Sequence, residues 1–139
     1  MRIIPIFASA GLTGFESPAE EYRELGLSLD QLLVNHPNAT FIGLVQGDSM
    51  EGVGIFDGDV LIVDRSLTAV DGDVIVGNYN GEFVCKIINK TNRLLLSANS
   101  KHQAQVIHDY DSFKSEGVVT CSLRLHRFNP LLQSLLCSL

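Results

Sequence analysis

From Thr40 onward the apolar positions come in short β-prone runs broken by turn residues. Thr40–Val45, Asp59–Asp64 (DVLIVD) and Asp73–Gly77 (DVIVG) are such runs. Phe56-Asp57-Gly58-Asp59 and Val70-Asp71-Gly72-Asp73 each put an Asp-Gly turn signal before a strand. Asn80-Gly81 lies between the runs Asp73–Tyr79 and Glu82–Ile88, and Asn-Gly between apolar runs is the strongest short-range hairpin signal. Arg93–Ser97 and Val118–Leu123 complete a set of closely spaced strands. The pattern predicts a mostly β fold: a compact barrel-like or sandwich core of short strands, not βαβ units.

The ends of the chain read differently. Gly11, Gly14, Ser17 and Pro18 break any regular element in residues 1 to about 20, which reads as a flexible arm. Glu20 to Glu24 is acidic, and Leu25, Leu27, Leu29, Leu32 and Leu33 follow as an apolar cluster. Asp30-Gln31-Leu32-Leu33-Val34 predicts one or two helical turns that end near Asn35-His36-Pro37. At the far end, Leu131, Leu132, Leu135, Leu136 and Leu139 share one helical face, and Pro130 suits a first helical turn. A short C-terminal helix is expected, packed on its own domain or on a partner. The organisation is thus residues 1–39, an arm with a short helical turn, and residues 40–139, a β domain with its tail.

Composition narrows the class. The chain has 139 residues, 45% hydrophobic and 19% charged, which suits one folded domain with its own core. The formal net charge is −6 and there is no Lys/Arg cluster, so direct DNA binding is not expected. Cys85, Cys121 and Cys137 are odd in number and lack Cys-x-x-Cys spacing, which argues against a disulfide framework or a zinc site. Reduced thiols and a cytoplasmic location are expected. No apolar run reaches the roughly 18 residues needed to span a membrane. Met1 to Ala10 imitates a signal peptide, with Ala8-Ser9-Ala10 as an A-x-A site, but its apolar stretch is short and Pro5 interrupts it.

The candidate chemistry is one serine and one lysine. Ser49 lies in Gly47-Asp48-Ser49-Met50, and Lys86 lies inside the apolar run Phe83-Val84-Cys85-Lys86-Ile87-Ile88. A hydroxyl is a poor nucleophile without a nearby base. Lysine becomes that base only if burial removes its proton near neutral pH. Bringing its pKa from ~10.4 to ~7 costs about 4–5 kcal/mol, at ~1.4 kcal/mol per unit. Taken singly, Ser49 also reads as a turn serine and Lys86 as a solvent-facing strand lysine. His36, His102, His108 and His126 show no metal spacing and read as surface or loop histidines; no metal or cofactor is expected. Asp57, Asp59, Asp71 and Asp73 read as turn and strand-edge residues, not acid–base partners.

Gly47-Asp48-Ser49-Met50, Asp57-Gly58-Asp59-Val60-Leu61-Ile62-Val63-Asp64, Gly72-Asp73-Val74-Ile75-Val76, Gly81-Glu82-Phe83 and Lys86 together resemble the UmuD/LexA family of self-cleaving SOS-response serine peptidases. Asn99-Ser100 and Gly117-Val118-Val119 continue the match in order. Gly14-Phe15-Glu16-Ser17-Pro18-Ala19, Leu29-Asp30-Gln31-Leu32-Leu33 and His36-Pro37 resemble the UmuD type in particular. The likeness spans residues 10 to about 123. LexA-type repressors carry a helix-turn-helix domain ahead of the cleavage site, and the ten or so residues here are too few for one. The Leu-rich tail departs from the short ending of the family.

The resemblance implies Ser49 as nucleophile and Lys86 as general base, with the chain's own arm as substrate. Ala10–Gly11 is the preferred bond, because small side chains let a strand-like arm lie close to the nucleophile. Thr13–Gly14, better aligned with the UmuD segment, is the alternative. The resemblance also implies stimulation by a RecA–single-stranded DNA filament, a homodimer after trimming, and an UmuC-like Y-family polymerase as partner in translesion synthesis. The competing class is a non-enzymatic polymerase-binding dimer module with a vestigial Ser–Lys pair. A third reading, a signal-peptidase-like enzyme acting in trans, is disfavoured by the lack of a membrane anchor.

Overall fold

The structure, a computed structural model, describes residues 28–137. Two compact units are distinguished, Met1–Asn35 and His36–Leu139. The arm and both candidate bonds, Ala10–Gly11 and Thr13–Gly14, lie outside the described residues.

In the first unit, Leu29–Leu33 forms the short helix α1. Its start is a capping box. The Ser28 hydroxyl accepts the Gln31 N–H at 3.2 Å, and the Gln31 side chain accepts the Ser28 N–H at 2.7 Å. The expected helical turns are therefore present, shifted by one residue.

The second unit is one antiparallel sheet of seven strands: β1 (Thr40–Leu44), β2 (Val60–Asp64), β3 (Val74–Tyr79), β4 (Glu82–Asn89), β5 (Leu94–Leu96), β6 (Gln105–Val106) and β7 (Phe113–Leu123). Their order is β1-β2-β7-β3-β4-β5-β6. The mostly β expectation holds. Strand β7 starts five residues before the expected Val118 because it pairs with β2 through one half and β3 through the other. Each pairing contains a register shift, one between Ile62 and Val63, the other between Val76 and Gly77. Such bulges bend and twist a strand, so β7 acts as the curved spine of the sheet.

Local chemistry explains the connections. Asn80 and Gly81 both have positive φ, 52° and 86°, as a two-residue hairpin between right-twisted strands demands. Phe56–Asp59 and Val70–Asp73 are matching turns. In each, the Asp carboxylate accepts the N–H of the first residue, at 2.8 Å and 3.0 Å, and the Asp N–H returns to that residue's carbonyl.

Alternation along the strands sorts the apolar side chains into two clusters. Val45, Met50, Ile55, Leu61, Val63 and Val76 form one; Ala69, Ile75, Ile88, Leu95, Ile107 and Val118 form the other. Each Val, Leu, Ile or Met among them, fully buried, contributes roughly 1.5–3 kcal/mol. The tail forms the expected helix, α2 (Pro130–Cys137), with Leu131 exposed.

Candidate active site

Ser49 lies on the connection from β1 to β2, and Met50 anchors that connection. The Met50 side chain is only 2% exposed, in the first apolar cluster, and its carbonyl accepts from both Val53 and Ile55. Gly47 makes the turn before the serine with φ of 94°, a conformation L side chains rarely adopt, and its N–H donates to Asp57 at 2.7 Å. A 3-10 turn, Glu51–Val53, follows. Ser49 thus lies between a positive-φ glycine turn and a buried methionine. Its own side chain is half-buried.

Lys86 lies in mid-β4, opposite Ile75 of β3. Its side chain is half-buried, and burial pushes its pKa below the usual lysine range. The adjacent Cys85 thiol is pushed up to about 11, chiefly by burial. In both groups burial disfavours the charged form. The Lys86 ammonium or amine donates to Ser97 Oγ at 2.8 Å.

Ser49 and Lys86 line one groove of about 620 Å³, walled by Phe41, Leu44, Leu61 and Val84. Among the described residues, the N–H groups of Ser49 and Met50 meet no acceptor, whereas those of Gly47, Glu51, Gly52 and Val53 do. Backbone N–H groups beside a serine hydroxyl are the kind of donor an oxyanion needs.

The segment Ser97-Ala98-Asn99, just beyond β5, ties these parts together. The Ala98 N–H donates to the Ser49 carbonyl at 2.7 Å, and the Ala98 carbonyl accepts the Gly52 N–H at 2.6 Å. The Asn99 side chain donates to the Asp48 carbonyl at 2.9 Å. His102 Nε2 meets the Asp48 carboxylate at 2.7 Å, and that hydrogen bond is the main cause of the lowered Asp48 pKa. Ser97, Asn99 and His102 were not singled out for this role by their own neighbours in sequence. Only Asn99 carries a prior signal, through its place in the family-like pattern.

Other histidines and aspartates make contacts elsewhere in the β domain. His36 Nδ1 meets the nearly buried Asp64 at 2.6 Å. Asp71 accepts from the N–H of Lys90 and the Thr91 hydroxyl, both at 2.5 Å. Asp59 is more than a turn residue: it is 2% exposed and takes Nε and Nη2 of Arg124 at 2.8 Å and 2.9 Å. Among the described residues no three His, Cys, Asp or Glu side chains converge as a metal site, and no helix is long and apolar enough to cross a membrane.

A glycine-turn serine on the β1–β2 connection and a partly buried lysine on β4 thus line one groove of the β domain. The chain belongs to the Peptidase S24-like family, whose model matches residues 5–120. It is similar to Protein MucA of Salmonella typhimurium, 40% identical over 125 residues, 88% of this chain and 86% of that protein. Protein SamA of Salmonella typhimurium is 32% identical over 124 residues, 88% of this chain and 86% of its own. The LexA repressor of Acidithiobacillus ferrooxidans is 40% identical over 112 residues, which cover 77% of this chain but 54% of the repressor. The resemblance to UmuD-type proteins of the UmuD/LexA family is borne out.

Proposed function

We propose that this chain is a self-cleaving serine endopeptidase of the SOS response. Its Ser49 hydroxyl attacks a peptide bond of its own N-terminal arm, Ala10–Gly11 by preference over Thr13–Gly14. Lys86, as the free amine, takes the hydroxyl proton as the Oγ–C bond forms. The Ser49 and Met50 N–H groups receive the oxyanion. Lys86 then gives its proton to the leaving amine as the C–N bond breaks, and water releases the acyl group from Ser49. Tethering makes the attack intramolecular, so a modest catalyst suffices.

One observation carries this reading: Ser49 and Lys86 share an apolar-walled groove, and burial favours the neutral lysine there. Stimulation by a RecA–single-stranded DNA filament is proposed as a population shift toward the cleavable state, not new chemistry. The trimmed chain then works as a homodimer with an UmuC-like Y-family polymerase in the cytoplasm. The net charge of −6 suits a protein that reaches DNA through partners.

Intact mass spectrometry tests it. Wild type, Ser49→Ala and Lys86→Ala are incubated at alkaline pH with and without RecA filaments. Loss of residues 1–10 from wild type alone supports the reading, and loss of residues 1–13 moves the bond to Thr13–Gly14. Wild type intact under every condition leaves the non-enzymatic dimer module. Rapid cutting of the Ser49→Ala chain by added wild type points to action in trans.

A further inference from the structure

We propose that Ser97 is a positioning residue for this reaction, its hydroxyl fixing the direction in which the Lys86 amine presents its lone pair. The proposal rests on Lys86 as the general base.

The register of the sheet produces the contact. Strands β4 and β5 pair as Asn89↔Leu94, Ile88↔Leu95 and Ile87↔Leu96. One more step in that register sets position 97 opposite Lys86. Side chains directly opposite in an antiparallel pair have Cβ atoms about 4.5–5.5 Å apart. A short hydroxyl at 97 therefore meets the end of a long lysine that folds back over the strand, and Nζ lies 2.8 Å from Oγ.

Position 97 is also a junction. The ladder ends there, and Ala98 turns its N–H and carbonyl to Ser49 and Gly52. One stretch of backbone therefore holds the base through a side chain and the nucleophile turn through its main chain. Movement of either strand end carries both groups together. A neutral amine has one lone pair and two N–H bonds. Donating one N–H to Ser97 removes free rotation about Cε–Nζ and restricts where the lone pair points. Among the described residues, Ser97 is the one hydrogen-bond partner of Lys86 Nζ.

After proton transfer the ammonium keeps the same bond, now charge-assisted and stronger. Ser97 therefore favours the protonated lysine, against the effect of burial. Removing the hydroxyl has two separable consequences: a slower maximal rate and an inflection at lower pH. A role confined to packing moves neither the inflection nor the titration of Lys86.

The test measures loss of the intact full-length chain against pH for wild type, Ser97→Ala and Ser97→Thr, with Lys86→Ala and Ser49→Ala alongside. A misplaced reacting group costs up to about 100-fold. The alkaline plateau of Ser97→Ala is expected to fall roughly 10–100-fold, with its inflection shifted to lower pH. Ser97→Thr, which keeps the hydroxyl, is expected to recover most of the rate. Lys86 Nζ is titrated by NMR in the uncleavable Ser49→Ala background, with and without Ser97→Ala; the expected result is a lower Lys86 pKa without the hydroxyl. A Ser97→Ala profile that superimposes on wild type, or an unmoved Lys86 titration, overturns the proposal while leaving the peptidase reading intact. Ser97→Thr as slow as Ser97→Ala, with both melting well below wild type, reduces Ser97 to a structural residue and also overturns it. Wild-type cleavage by Lys86→Ala overturns the base assignment itself.

Discussion

The Ala98 carbonyl occupies the space that a β-carbon at Gly52 would need. The Gly52 N–H donates to that oxygen at 2.6 Å, and a Cβ at position 52 would stand 2.4 Å from it. No side chain can swing away to relieve the contact, because the obstacle is backbone. The same Ala98 holds the Ser49 carbonyl through its N–H, so the segment cannot retreat without moving Ser49.

Gly52→Ala is therefore expected to slow self-cleavage by at least about tenfold, as displacement of a reacting group by a fraction of an ångström does. The melting temperature should fall by several degrees, in line with roughly 1–3 kcal/mol for overpacking a filled site. Intact-mass kinetics and thermal melts measure the two effects. A variant with wild-type rate would show that the Ala98 clamp is not needed to hold Ser49.

The lysine makes a prediction about stability with a definite sign. Burial lowers the Lys86 pKa in the folded chain, while the unfolded chain keeps a value near ~10.4. Between those two values the unfolded state binds more protons, so folding stability rises with pH through that window. Below it, the cost of keeping Lys86 in the groove is fully present. Lys86→Met in the Ser49→Ala background should therefore be more stable than its parent at neutral pH. The gain should shrink as pH approaches about 10. Urea melts at several pH values measure it, and a gain that grows with pH would contradict the buried-lysine description. The companion effect on activity is a self-cleavage rate that climbs as pH rises through the lowered pKa.

The Asn80-Gly81 hairpin joins β3 to β4, the strand that carries Lys86. Gly81, with φ of 86°, donates its N–H to the Asn78 side chain at 3.0 Å. Gly81→Ala meets no steric obstacle but places a Cβ in the left-handed region, at a cost of about 1 kcal/mol or more. Its melting temperature should drop by a few degrees with little change in cleavage. A loss of cleavage far beyond the loss of folded protein would show that the turn fixes the register of Lys86.

What the sequence discloses and what it hides follow from the range of the interactions. Asn80-Gly81 and the two Asp-Gly turns are local signals, since the φ values they demand belong to the residues themselves. Ser49 and Lys86 stand out because a Gly-turn serine and a lysine in an apolar run are each visible within a few residues. Ser97 is invisible on that scale, because its partner is chosen by the β4–β5 register. The central role of β7 is hidden for the same reason: Phe113–Gly117 carries no clean alternation, and pairing with β3 makes it a strand. Arg124 and Asp59 are 65 residues apart, and nothing near Asp59 announces a cation.

That ion pair carries the last prediction. Asp59 is almost fully buried, while Arg124 is half exposed and lies over the Phe56 ring, 4.2 Å from its centroid. Arg124 also donates to the Gly54 carbonyl at 3.1 Å, so one guanidinium ties the start of β2 to the loop that follows Ser49 and Met50. The hydrogen bonds from Arg124 are the main cause of the lowered Asp59 pKa. For a carboxylate whose folded pKa lies below its unfolded one, the stabilisation is present above the unfolded value, near ~3.9, and is lost as pH falls through the folded value. Wild type should thus lose stability on acidification below about pH 4. Arg124→Met leaves a buried carboxylate without its cation and should lower the melting temperature at neutral pH by roughly 5–10 °C. Adding Asp59→Asn should return part of that loss, since the stranded charge is what costs most. Thermal melts of the two single variants and the double variant measure this coupling, and strictly additive losses would show that Asp59 and Arg124 act independently.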